Sequence, residues 1–218
     1  MAMVLKRELA FFAVIISFAL AISLIALDMG TTNAMDANIR LLALNGYIAL
    51  SVAAILTPFI KEVTLFFKKS FIKVHHYFAA AGLLMITFHP IAVAILFANP
   101  GILLPNFASL STFLFYGGSI SLIAIYTAFG AVLLRRKVVA YWRYLHALMY
   151  VALFFGVVHA NLWGRDFENS FIVVIYDGLF AVAIAAFVLK RWQFYQIKQK
   201  RNHANNHPKV VFEQGKTA

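Results

Sequence analysis

Apolar residues run along this chain in long unbroken blocks, not in the short alternations of a soluble fold. Six blocks stand out: Ala10 to Leu27, Leu41 to Ile60, Val74 to Phe97, Phe113 to Leu134, Tyr144 to Leu162 and Phe171 to Leu189. Each is near the roughly 20 residues that a helix needs to cross a hydrocarbon core. The pattern predicts an all-α polytopic membrane protein, a six-transmembrane-helix bundle over residues 1–190. A basic cytoplasmic tail, residues 191–218, follows it and is expected to hug the membrane and then become disordered. The first block follows Lys6 and Arg7 as a signal peptide's would. Its apolar run exceeds the usual stretch of about 7–15 residues and reaches Asp28 without a small-x-small site, so it is read as a retained helix.

Composition narrows the class further. Of 218 residues, 63% are hydrophobic and 12% charged, against about 45–50% and about 25% in soluble domains. Six spans leave no room for a large soluble catalytic domain. The absence of cysteine removes disulfides, thiolate zinc, iron–sulfur clusters and c-type haem attachment, so any metal chemistry must run through histidine or carboxylate. The net charge of +11 sits in short clusters between the apolar blocks. It therefore signals topology and contact with membrane lipid, and no nucleic-acid-binding face.

Those clusters orient the helices. The N-terminus, the second and fourth loops and the C-terminal segment hold 17 of the Lys and Arg residues, while Arg40 and Arg165 alone lie on the other side. The positive-inside rule puts both termini in the cytoplasm, with Asp28, Asp36, Asp166 and Glu168 outside. Loops this small suit a prokaryotic cytoplasmic (inner) membrane. The uncharged third loop, Ala98 to Thr112, contains Pro100 and Pro105 and is expected to dip into the outer interface. Trp142, Trp192 and Trp163 fit aromatic belts at the two interfaces.

Candidate chemistry lies in the histidines. His203 and His207 fall in the tail and are read as solvated, but His75, His76, His89, His146 and His159 lie inside apolar blocks, where ionisable groups are costly and usually functional. Lys73 precedes His76 by 3 residues and His89 by 16, and Arg143 precedes His146 and His159 by the same 3 and 16. Both helices run outward, so histidine recurs at two matched depths, separated by about 20 Å at 1.5 Å per residue. Two imidazoles facing each other at each level can hold two b-type haems, since haem iron needs only two axial nitrogens. Stacked haems carry single electrons through a medium that excludes charge.

Rotation refines the pairing. At about 100° per residue, a spacing of 14 returns to within about 40° of the same face, whereas 13 lands about 140° away. His75 with His89 is well aligned; His146 with His159, 13 apart, needs a local tightening, placed near Gly156, or different approach directions to the two haems. Depth favours His76 and rotation favours His75.

The stretch WRYLHALMYVALFFGVVH, Trp142 to His159, and the 14-residue spacing from His75 to His89 resemble the ferric-reductase-like transmembrane domain. Ferric reductases, NADPH oxidases and the haem-binding membrane subunit of the periplasmic methionine sulfoxide reductase system share that domain. The resemblance covers about five of six spans and favours His75 as the ligand. It implies two haem b groups as cofactors, with His75 and His146 on the inner iron and His89 and His159 on the outer. Ala79 stands where many members have glycine, four residues after the first ligand. The 29 residues after Leu189 hold no GxGxxG fingerprint and cannot fold a nicotinamide domain. Flavin or quinone is therefore expected only through a partner.

Supporting residues follow. Arg143, with Lys73, Arg135 and Arg136, is placed to neutralise inner haem propionates; Arg40 or Arg165 is left to serve the outer ones or a substrate. Asp177, the lone carboxylate inside a span, reads as a proton donor near the outer haem or as a partner of a neighbouring helix. The expected activity is transmembrane electron transfer, an oxidoreductase component fed by a cytoplasmic flavin reductase or quinol. Its acceptor is an outer ferric chelate, a partner reductase subunit or dioxygen. The rival reading, a histidine-based proton or divalent-metal transporter, calls for more intramembrane carboxylates and an inverted repeat. A third, a quinol-linked diheme anchor subunit, changes only the partner.

Overall fold

The computed structural model describes residues 2–206, with side chains for residues 7–202. Nine α-helices form among the described residues. They are α1 Ala2–Asp28, α2 Ala34–Ile55, α3 Ile60–Phe67, α4 Phe71–Leu96, α5 Leu110–Phe115, α6 Gly117–Leu133, α7 Trp142–His146, α8 Leu148–Trp163 and α9 Ser170–Asn206. Short 3-10 turns cover Pro100–Leu103 and Arg165–Glu168. No strand occurs among the described residues. Five helical stretches are long and apolar enough to cross a membrane, which gives the chain the build of a multi-pass membrane protein.

The expected fourth span is broken in two. α5 and α6 are separated by Tyr116, and α6 alone is 17 residues long. The cause is local: Gly117 and Gly118 follow Tyr116, and glycine weakens helix continuity. The tail differs from expectation as well. α9 continues to Asn206, so residues 191–206 are helical, while the rest of the tail, including His207, lies outside the described residues. The side chain of His203 lies outside them too.

Helix ends follow from sequence. Asn33 caps α2, its side chain accepting from the Asp36 N–H at 2.9 Å. Gly30, with φ of 85°, turns the chain out of α1. Pro58 stops α2 three residues earlier, because the ring cannot continue the hydrogen-bond ladder.

α2 is the central post. It packs most closely on α4 and also meets α1, α8 and α9. The α2–α4 approach is close because Gly82 faces Leu50 and the Gly46 carbonyl, where any side chain would collide. α6 packs along α8, and α4 and α8 lean on α2 instead of on each other. The buried core therefore centres on α2, with Tyr47, Ile48 and Leu50 against Leu153, Val157, Ile172 and Tyr176. The short α3 turns Val63 and Phe67 inward, and Phe67 meets Phe11 at 5.1 Å while Phe12 stacks on Phe78.

The two ends of the bundle differ in charge. One carries Lys61, Lys68, Lys69, Lys73, Arg135, Arg136 and Arg143 and is called here the basic end. The opposite end carries the α1–α2 and α8–α9 connections, with Asp28, Asp36, Asp166 and Glu168.

Candidate functional site

α4 supplies His75 and His89; α7 supplies His146 and α8 His159. At the basic end His75 and His146 face each other with ring centroids 6.4 Å apart and planes at 74°. At the opposite end His89 of α4 and His159 of α8 are each turned to a backbone carbonyl. His75 and His146 thus form a facing pair at the basic end, and His89 and His159 share the opposite end.

All four rings are held by the same device. Nδ1 of His75 meets the Ala53 carbonyl at 3.1 Å, and that of His89 meets the Ile39 carbonyl at 2.9 Å, both on α2. Nδ1 of His146 meets the Ala128 carbonyl of α6 at 3.4 Å, and that of His159 meets the Phe115 carbonyl of α5 at 2.8 Å. A carbonyl oxygen only accepts, so each Nδ1 carries the proton and each Nε2 keeps its lone pair. Such a ring is oriented and made more basic for binding a metal through Nε2. The α4 rings are thus anchored on α2 and the α7–α8 rings on α5 and α6.

Two of these acceptors exist because a helix ends. The Thr57 N–H, which would bond the Ala53 carbonyl in a continuing α2, bonds Ala54 at 3.1 Å. Likewise the Ser119 N–H bonds Tyr116 at 3.1 Å and leaves the Phe115 carbonyl for His159. Gly118 completes this corner: a Cβ there would lie 3.1 Å from both Nε2 and Cδ2 of His159.

The 13-residue spacing is met by a tightening, but at Ala147 and not near Gly156 as expected. The Ala147 N–H is shared between the Arg143 carbonyl at 3.2 Å and the Tyr144 carbonyl at 3.1 Å, and the Tyr150 N–H bonds Ala147 at 3.0 Å. Such three-residue bonds turn the chain by about 120° per residue where an α-helix turns about 100°, which swings the two histidines toward a common side. Gly156 instead makes room for Tyr47, whose ring carbon a Cβ would meet at 3.5 Å. On α4, Pro90 directly follows His89 and removes the donor for the Ile86 carbonyl, a kink point that the periodicity of the apolar block conceals.

His76 is exposed, its ring centroid 5.9 Å from that of His75. Arg143 is exposed on the same short helix as His146, its guanidinium 5.3 Å from the Trp142 ring. Arg40 is not free for an external anion, contrary to expectation. It is buried and paired with Asp166, and it also donates to the carbonyls of Gly30 and Ala26. Arg165 is exposed and donates to the Met29 carbonyl at 3.1 Å. Asp177 accepts from Asn161 of α8 at 3.0 Å, a helix-to-helix hydrogen bond.

Among the described residues, no three His, Asp or Glu side chains converge as a metal site. Comparison with known protein families, curated proteins and solved structures finds no match to this chain.

Proposed function

We propose that this protein carries single electrons across a membrane through two b-type haems, one held by His75 and His146 and the other by His89 and His159. The observation that carries the reading is the pairing itself, with each Nδ1 committed to a backbone carbonyl and each Nε2 left free. Spacing supports it: with metal–nitrogen bonds of about 2 Å, imidazoles on opposite sides of one iron have centroids roughly 6 Å apart, and His75 and His146 stand 6.4 Å apart. Bound haem would supply reversible one-electron iron chemistry.

The chain's own residues do the rest. The carbonyls of Ala53, Ile39, Ala128 and Phe115 hold the imidazoles in the ligating tautomer. Arg143, Lys73, Arg135 and Arg136, all exposed at the basic end, suit anionic haem propionates there. With the basic end in the cytoplasm of a cell (inner) membrane and α5–α6 acting together as one crossing, the bundle has six spans. Electrons then enter from a cytoplasmic flavin reductase or from quinol. His75 with His146 and His89 with His159 would hold the two haems, and a group so held would pass electrons by outer-sphere transfer to a ferric chelate, a partner reductase subunit or dioxygen. This is the arrangement of a ferric-reductase-like oxidoreductase component.

The test is a dithionite-reduced minus oxidised spectrum of the purified chain, with a pyridine haemochrome assay. The expected result is two b-type haems per chain. No haem after expression with ample haem supply overturns the reading and turns attention to a histidine-lined proton or divalent-metal path.

A further inference from the structure

The α5–α6 break has a chemical use. An unbroken helix through Tyr116 would bond the Phe115 carbonyl to the Ser119 N–H, but that N–H turns to Tyr116 and releases the Phe115 oxygen to His159 at 2.8 Å. This is the shortest of the four histidine–carbonyl bonds; its counterpart at the basic end, His146 to Ala128, is 3.4 Å and draws on a carbonyl inside α6. The ring edge carrying Nε2 lies over Gly118, where a methyl group would sit 3.1 Å from Nε2. Trp163 packs edge-on against the Phe115 ring. Break, carbonyl and glycine thus meet on one imidazole, and the resting place of that imidazole depends on all three.

We propose that Phe115 and Gly118 are positioning residues for His159. The released carbonyl sets the tautomer and basicity of the ring, and the missing side chain at 118 keeps the approach to its Nε2 open. The proposal rests on the reading of His159 as a haem ligand. Its physical basis is that a strong acceptor on Nδ1–H raises imidazole basicity and favours the ferric state of an iron bound at Nε2. A Cβ at residue 118 pushes the ring away from both positions.

Gly118→Ala tests this in the full-length protein, with Gly130→Ala as the control on the same helix, since a Cβ at 130 meets nothing within 4 Å. Optical redox titration and the low-spin ferric resonance are the readouts. Gly118→Ala is expected to lose one haem of the two, or to hold it at a less negative midpoint potential, while Gly130→Ala keeps both as in the wild type. Both haems at wild-type potentials with unchanged resonances in Gly118→Ala overturn the proposal. A haem-free measurement separates its failure from that of the haem reading. In 15N-histidine spectra of the apo protein, His159 is expected as the Nδ1-protonated tautomer; a proton on Nε2 instead overturns the positioning role whatever haem does.

Discussion

Arg40 and Asp166 form a buried ion pair across the end of the bundle opposite the basic end, Nε standing 3.1 Å from Oδ1 and 3.2 Å from Oδ2. The same guanidinium donates to the carbonyls of Gly30 and Ala26, so one side chain on α2 ties the end of α1 to the α8–α9 connection. Removing Arg40 strands the Asp166 carboxylate, whereas Arg40 without Asp166 keeps Asp36 at 3.7 Å. Arg40→Met is expected to destabilise by about 3–5 kcal/mol, Asp166→Asn by less, and the double change to Met and Leu by less than the sum. Unfolding in detergent, followed for all three variants, checks this. Additive losses would show that the two side chains act separately.

Adjacent histidines on α4 are expected to behave differently. His75 is turned to His146 and bonded to the Ala53 carbonyl, whereas His76 is exposed. Haem per chain is expected to fall from about two to about one in His75→Ala and to stay at about two in His76→Ala. The opposite outcome in the haemochrome assay would hand the ligand role to His76.

Close approach of α2 and α4 depends on Gly82. A Cβ at this position would lie 2.7 Å from Leu50 Cγ and 3.0 Å from the Gly46 carbonyl. Gly82→Ala is expected to cost about 1–3 kcal/mol through overpacking, while Gly130→Ala, with open space around it, gains roughly 0.5–1 kcal/mol from helix propensity. Because His75 and His89 lean on carbonyls of α2, Gly82→Ala is also expected to lower haem retention. Equal midpoints of thermal unfolding in the two variants would contradict the close-contact account.

At the basic end, the Lys69 ammonium sits 2.7 Å from the Glu8 carboxylate and ties the α3–α4 turn to α1. The hydrogen bond that Lys69 donates to Glu8, reinforced by the negative charge of the carboxylate, raises the Lys69 pKa above its ordinary value of 10.5. A cation favoured by folding contributes fully below its unfolded-state value and loses that contribution as pH rises through the higher folded value. Lys69→Met is therefore expected to unfold slightly earlier than wild type at neutral pH, and the difference to vanish as pH rises through the raised lysine value. Added salt is expected to shrink it as well, since the pair is partly exposed. A difference that persists in strong alkali would assign the effect to packing of the lysine stem.

Much of the bundle was legible because apolar blocks of membrane length leave little choice of secondary structure, and because Asn33, Gly30 and Pro58 punctuate them in the usual ways. The four histidines were legible for a related reason: an ionisable group in an apolar helix stands out, and spacings of 14 and 13 can be converted to rotation and depth. The place where the 13 is absorbed was not legible. Gly156 offered a plausible weak point, but it lies against Tyr47, and the tightening falls at Ala147, a residue with no conformational signature. Arg40 was misread for a different reason. Its charge is plain in the sequence, whereas its partner Asp166 lies 126 residues away. The helical course of residues 191–206 was concealed by polarity, which resembles disorder when a helix simply continues past its apolar part.

Composition and periodicity by themselves determined that the chain is helical, that it has the build of a membrane protein, and which imidazoles lie at matched positions along two helices. These properties depend only on residue type and on the fixed rise and turn of a helix. Tertiary structure decided which imidazoles face each other, which backbone oxygens hold them and which charge is already spent. Carbonyl acceptors have no letter in the sequence. They become available where a helix stops, as at Ala53 and Phe115, or where a second lone pair is turned toward a neighbour, as at Ile39 and Ala128, and both conditions arise only when the helices are packed together.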